Sequence, residues 1–378
     1  MNDSAFLKFT LLNIFLLFFG IAITKAQKVI FPRDFSPTEG LITPQEKPYR
    51  DEVCLNGYWE LQCVPVPSSW KGGTGIAPEL PAPQADKWET VKIKIPSAIN
   101  VNDWGRGSNV GEGTRNPYTP SSVYYPSYPD NWKHTRMGWL RKNFRVPAGW
   151  NGKRLLLHFE AVAGDCVVLV NGKEVCHNFD SHLPFNADIS DYVNRDADNE
   201  LLVGVRHTKL FDKSHPVYTK MGAIYPTGSN TDDLIGIWQD VYLFGVPEVR
   251  ITDVFVQPWV DRNKLVLEIA LTNLSSKNKK IALNGVVKEW VNHAGKDVLT
   301  APEINWSLGE TALTIPSEPI TLRAGESKTV TVRQKVDNNL KYWTPDTPNL
   351  YTLLLSLGDK KQTYDCKATR FGWRQLKL

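Results

Sequence analysis

Val167-Val168-Leu169-Val170-Asn171-Gly172-Lys173-Glu174-Val175-Cys176 sets the fold class. Four apolar residues run into Asn-Gly, the dipeptide that best closes a two-residue hairpin because both central positions need positive φ. An extended pattern resumes after the turn. With a two-residue turn Cys176 falls across from Val167. Side chains alternate faces along a strand, so Cys166 and Cys176 are expected on opposite sides of the sheet and unbridged.

Comparable runs lie to either side: Leu155–Phe159, Leu201–Val205, Val241–Phe244, Val254–Val256, Leu265–Leu271, Val330–Val332 and Leu353–Leu357. Gly, Pro, Asn and Asp separate them, as strands joined by turns require. Within Leu265–Leu271 the odd positions are all large and apolar, the mark of a half-buried strand. Long 3.6-residue periodicity is absent. The one helical candidate is a short turn at Ile189–Val193, with Asp188 as its cap. The chain reads as all-β. Gly245-Val246-Pro247-Glu248 closes the first set of strands and Val249 opens another, which places a domain boundary near residue 248. Residues 249–374 have the length and strand spacing of an immunoglobulin-like sandwich. Residues 27–248 call for a larger sandwich with elaborate loops, of jelly-roll type.

The hydrophobic share, 42%, and the charged share, 22%, exclude a disordered chain. Lys and Arg total 44 against 40 Asp and Glu, which lacks the basic excess expected of a nucleic-acid binder. At the N-terminus, Lys8 precedes an apolar run from Leu11 to Ile23, and Ala26 follows. That order predicts a signal peptide over residues 1–26, export to the periplasm or beyond, and no membrane anchor once it is cleaved. Five cysteines are too few and too scattered for a disulfide scaffold.

Val64–Asn131 is rich in Pro, Gly and aromatic residues, the composition of long ordered loops. In the loops of residues 100–132, Trp104, Arg106, Tyr124, Tyr125 and Trp132 are the candidates for contacting a ligand. Aromatic rings cover the apolar faces of a ligand, while a few polar groups fix its orientation. The same residues would equally serve to pack the domain or face a neighbouring one.

Several segments, taken in order, resemble the two N-terminal domains of the family 2 glycoside hydrolases, the group of β-galactosidases, β-glucuronidases and β-mannosidases. Leu55-Asn56-Gly57-Tyr58-Trp59-Glu60-Leu61 is similar to the opening strand of their sugar-binding domain. Trp88-Glu89-Thr90-Val91 with Ile95-Pro96, Gly138–Pro147, Val170-Asn171-Gly172, His182–Ile189 and Gly236–Leu243 follow that pattern. Trp343–Tyr351 and Arg370–Arg374 resemble the late signatures of the immunoglobulin-like domain. Gln239 stands where the family usually carries Arg. The resemblance implies that Asn230, Asp232 or Asp233, just before the Gly-Ile strand, reaches a sugar pocket. It also implies that catalysis belongs to a (β/α)₈ barrel of about 250 residues. Residues 375–378 would only begin the linker towards that barrel, so a barrel supplied in cis or in trans is the expected partner. An exposed apolar patch is expected around Phe371 and Trp373.

Retaining glycoside hydrolysis needs two carboxylates about 5–5.5 Å apart. Asn199-Glu200 has the family's catalytic dipeptide, but it sits where a turn enters the strand Leu201-Leu202-Val203, so no catalytic residue is assigned. Gly105–Gly111 has the wrong glycine spacing for phosphate. Cys176, His177 and His182 are better read as hairpin residues than as metal ligands, and Asp188, Asp191, Asp196 and Asp198 as turn residues. No cofactor and no metal is expected. The reading is a non-catalytic portion of a family 2 glycoside hydrolase. Its rivals are a carbohydrate-binding module that works alone and an interaction scaffold.

Overall fold

The computed structural model describes residues 40–71, 76–101, 128–211, 234–293 and 306–376. Their first block carries β1 (Asp51–Cys54), β2 (Gly57–Val64), β3 (Ile93–Ile95), β4 (Met137–Phe144), β5 (Arg154–Phe159) and β6 (Val162–Ala163). It continues with β7 (Asp165–Val170), β8 (Lys173–Asn178), β9 (Phe185–Asp188), β10 (Asn199–Arg206), β11 (Gly236–Ile237) and β12 (Val241–Val246). Two antiparallel sheets of order β1-β12-β5-β9 and β3-β2-β4-β10-β7-β8 face one another, and β11 pairs with β6 at one end. The period-2 alternation puts Leu155, Leu157 and Phe159 of β5 opposite Leu201, Val203 and Val205 of β10, all fully buried. Burying each such side chain contributes about 1.5–3 kcal/mol. The result is a jelly-roll sandwich.

The Asn-Gly hairpin forms as expected, with Asn171 and Gly172 both at positive φ. Its register does not. A bulge at Val175 pairs Val168 with Cys176 and Cys166 with Asn178, so the two cysteines share a face instead of opposing ones. An inserted residue shifts every later side chain by one position. Both thiols remain free, Cys166 in the core and Cys176 packed against it. The turn at Ile189–Val193 is a single turn closed by Tyr192 N–H on Ile189 O, with Asp188 Oδ1 accepting from Ser190 N–H.

A strap over residues 76–89 crosses the outer face of the six-stranded sheet. Its prolines lack an N–H to satisfy, and its carbonyls accept from the sheet: Pro78 O from Arg206, Pro81 O from Trp139, Gln84 O from Gln62. A small second core of Ala77, Met137, Leu210 and Phe211 fills in beneath. Gly204 is required by this arrangement, since a Cβ there would lie 2.6 Å from Leu80 and 2.7 Å from Trp139.

The second block carries β13 (Val249–Trp259), β14 (Lys264–Asn273), β15 (Lys279–Asn292), β16 (Trp306–Leu322), β17 (Ser327–Lys335), β18 (Leu350–Gly358) and β19 (Thr363–Gly372). Sheets β13-β14-β17 and β16-β15-β18-β19 pack as an immunoglobulin-like sandwich. Leu265, Leu267, Ile269 and Leu271 of β14 fill its core. Trp373, expected in an exposed patch, is instead buried in this core, and Phe371 packs against it and tilts onto Tyr351. A ring just past β19 is consumed by its own sandwich. The exposed apolar side chains near that end are Tyr342 and Leu376.

The two cores are joined through the turn before β1. There Arg50 Nε and Nη2 donate to the two oxygens of Asp365 on β19, at 2.8 and 2.6 Å, and Ile251 N–H of β13 donates to Asp365 Oδ2 at 2.7 Å. Asp365 is fully buried and Arg50 nearly so. Glu46, also buried, accepts from Thr43 N–H and Oγ1 and pairs with Lys367 of β19 at 3.1 Å.

Removing one member of a buried ion pair strands the other charge, at about 3–5 kcal/mol. Asp365→Ala should therefore lower unfolding stability by that amount in urea titration, and Arg50→Lys, which loses the fork, should lower it too. Burial also raises the thiols: Cys63 and Cys366 to about 11, with Cys166 and Cys176 shifted in the same direction. A pKa near 11 leaves roughly one part in a thousand as thiolate at pH 8. These four cysteines should react with Ellman's reagent more slowly in the folded chain than in the unfolded one.

Candidate functional site

Four described stretches converge at one end of the jelly roll. Ser97 and Ile99 N–H donate to Ile237 and Ile235 O, and Ile235 N–H donates to Asn100 Oδ1. Lys94 N–H donates to the Tyr128 hydroxyl at 2.9 Å, and His207 N–H to Arg136 O. The backbone therefore gathers residues 94–101, 128–136, 207–211 and 234–238 at this loop end.

Asp180 Oδ1 accepts from the N–H groups of His182 and Leu183, an Asx turn that fixes the 180–183 loop. Ser181 is tied in twice: its hydroxyl accepts from Gly164 N–H at 3.0 Å and its carbonyl from the Trp238 indole at 2.8 Å. His182 stands edge-on to the Trp238 ring, with centroids 5.7 Å apart. Trp238 is half-buried, and His182, Leu183 and Gln239 are exposed. A half-buried indole beside an exposed imidazole and an amide offers one apolar face and two hydrogen-bonding groups, the set that holds a polyhydroxylated ring.

The carboxylates nearby are engaged. Asp240 accepts from Asn56 Nδ2, and Glu160 lies 2.7 Å from His158 Nε2. Asp165, nearly fully buried, meets His177 Nε2 at 2.6 Å and Arg206 at 2.8 Å. His177 is therefore a structural partner, and His182 a ring neighbour. Among the described residues no group of three or more His, Cys, Asp or Glu is placed to hold a metal ion.

Of the residues expected to contact sugar, Trp104, Arg106, Tyr124, Tyr125, Asn230, Asp232 and Asp233 lie outside the described residues. Trp132 is described: it has no exposed surface, stacks on Tyr128 at 4.9 Å, and belongs to the core. Asn199 of the Asn-Glu pair is fully buried and structurally saturated. Its Oδ1 accepts from Asn194 N–H and Asn171 Nδ2, and its Nδ2 donates to Asn194 and Ala197 O. The Trp238–Ser181 pairing was missed in the sequence. Trp238 stood inside a quoted motif, but nothing local marked its indole as tied to a loop 57 residues away.

Comparison with known proteins places these features. Residues 54–247 match the family profile described as glycosyl hydrolases family 2, sugar binding domain, and residues 249–374 match that described as glycosyl hydrolases family 2. A β-galactosidase of Priestia megaterium is 22% identical over 366 residues, 95% of this chain and 31% of that protein. The β-galactosidase large subunit of Leuconostoc lactis is 24% identical over 335 residues, 86% of this chain and 46% of that protein. Among solved structures, the β-glucuronidase of Bacteroides uniformis superposes with a TM-score of 0.57 at 19% identity, over 85% of this chain and 32% of that one. A β-galacturonidase of Eisenbergiella tayi gives 0.58 at 16%, over 87% and 44%. The chain thus spans a third to under half of the length of these relatives.

Gly164 holds the loop end together at φ +102°, and a Cβ there would run into the Arg206 carbonyl. Gly164→Ala should cost about 2 kcal/mol or more from strain and overpacking. Hydrogen exchange should then speed up first at Ser181 and Trp238, ahead of the second sandwich.

Proposed function

The chain belongs to family 2 of the glycosyl hydrolases, and we propose that it works there as the portion that binds and positions saccharide. The observation that carries this reading is the order of the two matches, sugar-binding domain then immunoglobulin-like domain, on two β-sandwiches. Hydrolysis needs two carboxylates held across the scissile bond and a preorganised pocket around them. Among the described residues there is no α-helix, so none of them builds a (β/α)₈ barrel, and the described carboxylates of Asp165, Asp180 and Asp240 are committed to structural partners. We therefore assign catalysis to a barrel supplied in cis or in trans, and to this portion the Trp238–His182 face that would meet a sugar from one side.

The export expectation stands as part of the same proposal: residues 1–26 direct the chain out of the cytoplasm and are removed. No helix among the described residues is long and apolar enough to cross a membrane. Product recovered from the periplasm or medium should begin at Gln27 by N-terminal sequencing. Product retained in the cytoplasm with Met1 intact would refute export.

Purified chain should leave p-nitrophenyl β-D-galactoside and β-D-glucuronide unhydrolysed above background. It should bind the free sugars weakly, and Trp238→Ala should reduce that binding about tenfold, the loss of one aromatic contact. Turnover at enzymatic rate by the chain alone would overturn the reading. Mixing with the barrel portion of a relative separates the rivals: restored turnover marks a hydrolase portion, and sugar binding without restoration marks a module that works alone.

A further inference from the structure

The junction of the two sandwiches holds an open cleft of 340 Å³, built from other residues than the loop end. Tyr49, Asn151 and Lys153 line it from the first block, and Glu248, Lys279 and Tyr364 from the second. Its volume falls in the range of small-molecule sites.

The walls are held in place. Lys153 is spent on the Tyr49 carbonyl and on Asp51. Arg195 donates to Trp150 O and Lys153 O at 3.2 and 2.8 Å, which fixes the turn that carries Asn151. The Tyr364 hydroxyl donates to Asp359 at 2.6 Å, and the Lys279 ammonium sits 4.9 Å over the Tyr364 ring. The remaining polar groups are idle. Among the described residues, none hydrogen-bonds the Glu248 carboxylate, the Asn151 amide or the Tyr49 hydroxyl.

Charge selects the ligand. With Lys153 neutralised by Asp51, the cleft keeps one cation, Lys279, and one anion, Glu248, so neither a phosphate nor an amine is favoured. The Tyr49 phenol ring, two proline edges (Pro48 and Pro247) and idle donors and acceptors of both kinds suit a ligand with apolar faces and a rim of hydroxyls, with the Lys279-capped Tyr364 ring as one wall. We propose that this cleft is a second saccharide site, taking a neutral mono- or disaccharide that bridges the two domains beside the Arg50–Asp365 pair. An occupant touching both domains favours their joined arrangement and raises the melting temperature by mass action.

Chemical-shift mapping on the isotope-labelled full chain tests this without any variant. Galactose and lactose at millimolar concentration should move the amides of Asn151, Glu248, Ser275 and Tyr364, and inorganic phosphate should not. Glu248→Gln and Tyr364→Ala should each weaken this binding about tenfold, while Trp238→Ala leaves it unchanged. Glu248 is exposed, so its variant should fold even where Tyr364→Ala does not. Shifts confined to residues 180–183 and 236–239 would overturn the cleft and leave the loop-end reading standing. Equal shifts with phosphate would overturn the neutral-saccharide assignment. No shift in the cleft up to about 50 mM sugar, beyond the usual range of a built site, would also overturn it, with the hydrolysis and complementation assays still judging the proposed function.

Discussion

Asp365 has no route to water, and the junction of the two domains depends on how its charge is answered. A carboxylate taken out of solvent loses several kcal/mol of hydration and needs nearly every lone pair met. The donors come from places remote in sequence: the Arg50 fork from the turn ahead of β1 and the Ile251 N–H from β13. The same turn buries Glu46 against Lys367. Arg250, also at the junction, donates to Pro247 O, and burial together with the Arg50 charge pushes its guanidinium below its usual range. The domains are thus held by geometry-demanding charge pairs, while each keeps its own apolar core. Ion pairs of this kind add little net stability over a well-packed apolar contact, but they tolerate few relative orientations. Orientation is what a protein needs if its two domains must present surfaces to a third.

Much of the fold was legible because it rests on local alternation. Leu265–Leu271 reads as a half-buried strand, and β14 buries those odd positions. Asn171-Gly172 supplies the two left-handed residues of its hairpin. The bulge at Val175 was not legible, since nothing in Lys173-Glu174-Val175-Cys176 says which residue goes unpaired. That is settled by which face finds the core, and the core preferred Cys176 inside. The strap was legible only as a composition. Its prolines signal an irregular segment, but not that Gly204, 124 residues beyond Leu80, exists to let it lie flat. The Arg50–Asp365 pair spans 315 residues, and neither partner differs in local context from any surface charge.

The site was legible to a smaller degree for a related reason. The family motifs mark where the chain must be a strand or a turn, and these are mostly packing motifs. Asn199 shows it: its side chain makes four hydrogen bonds, three of them closing the turn at Asn194–Asn199, so the Asn of the Asn-Glu dipeptide is spent on the fold. Trp373 makes the same point in the second domain, where an aromatic at a domain exit is claimed by its own core.

Aromatic abundance is therefore a poor guide to sugar binding in this chain, and occupancy of the ring faces is a better one. Trp290 has the Arg370 guanidinium at 4.8 Å and the Trp306 ring at 6.2 Å. Trp343 carries Arg374 at 4.4 Å and lies against Gly372, where a Cβ would meet it at 3.1 Å. Trp88 carries Arg141 at 4.0 Å, and Trp59 and Trp132 are buried. In each, a neighbour already holds a ring face, by cation–π attraction or by burial, and a ligand would have to displace it. Trp238 is only half-buried, with its indole N–H anchored to the Ser181 carbonyl and the His182 ring set edge-on to it. Anchoring by the polar edge fixes the orientation of the ring, the preorganisation from which a weak stacking contact gains. A sandwich can present such a ring at its loop end, where the described carboxylates of Asp165, Asp180 and Asp240 are taken up in holding the loops.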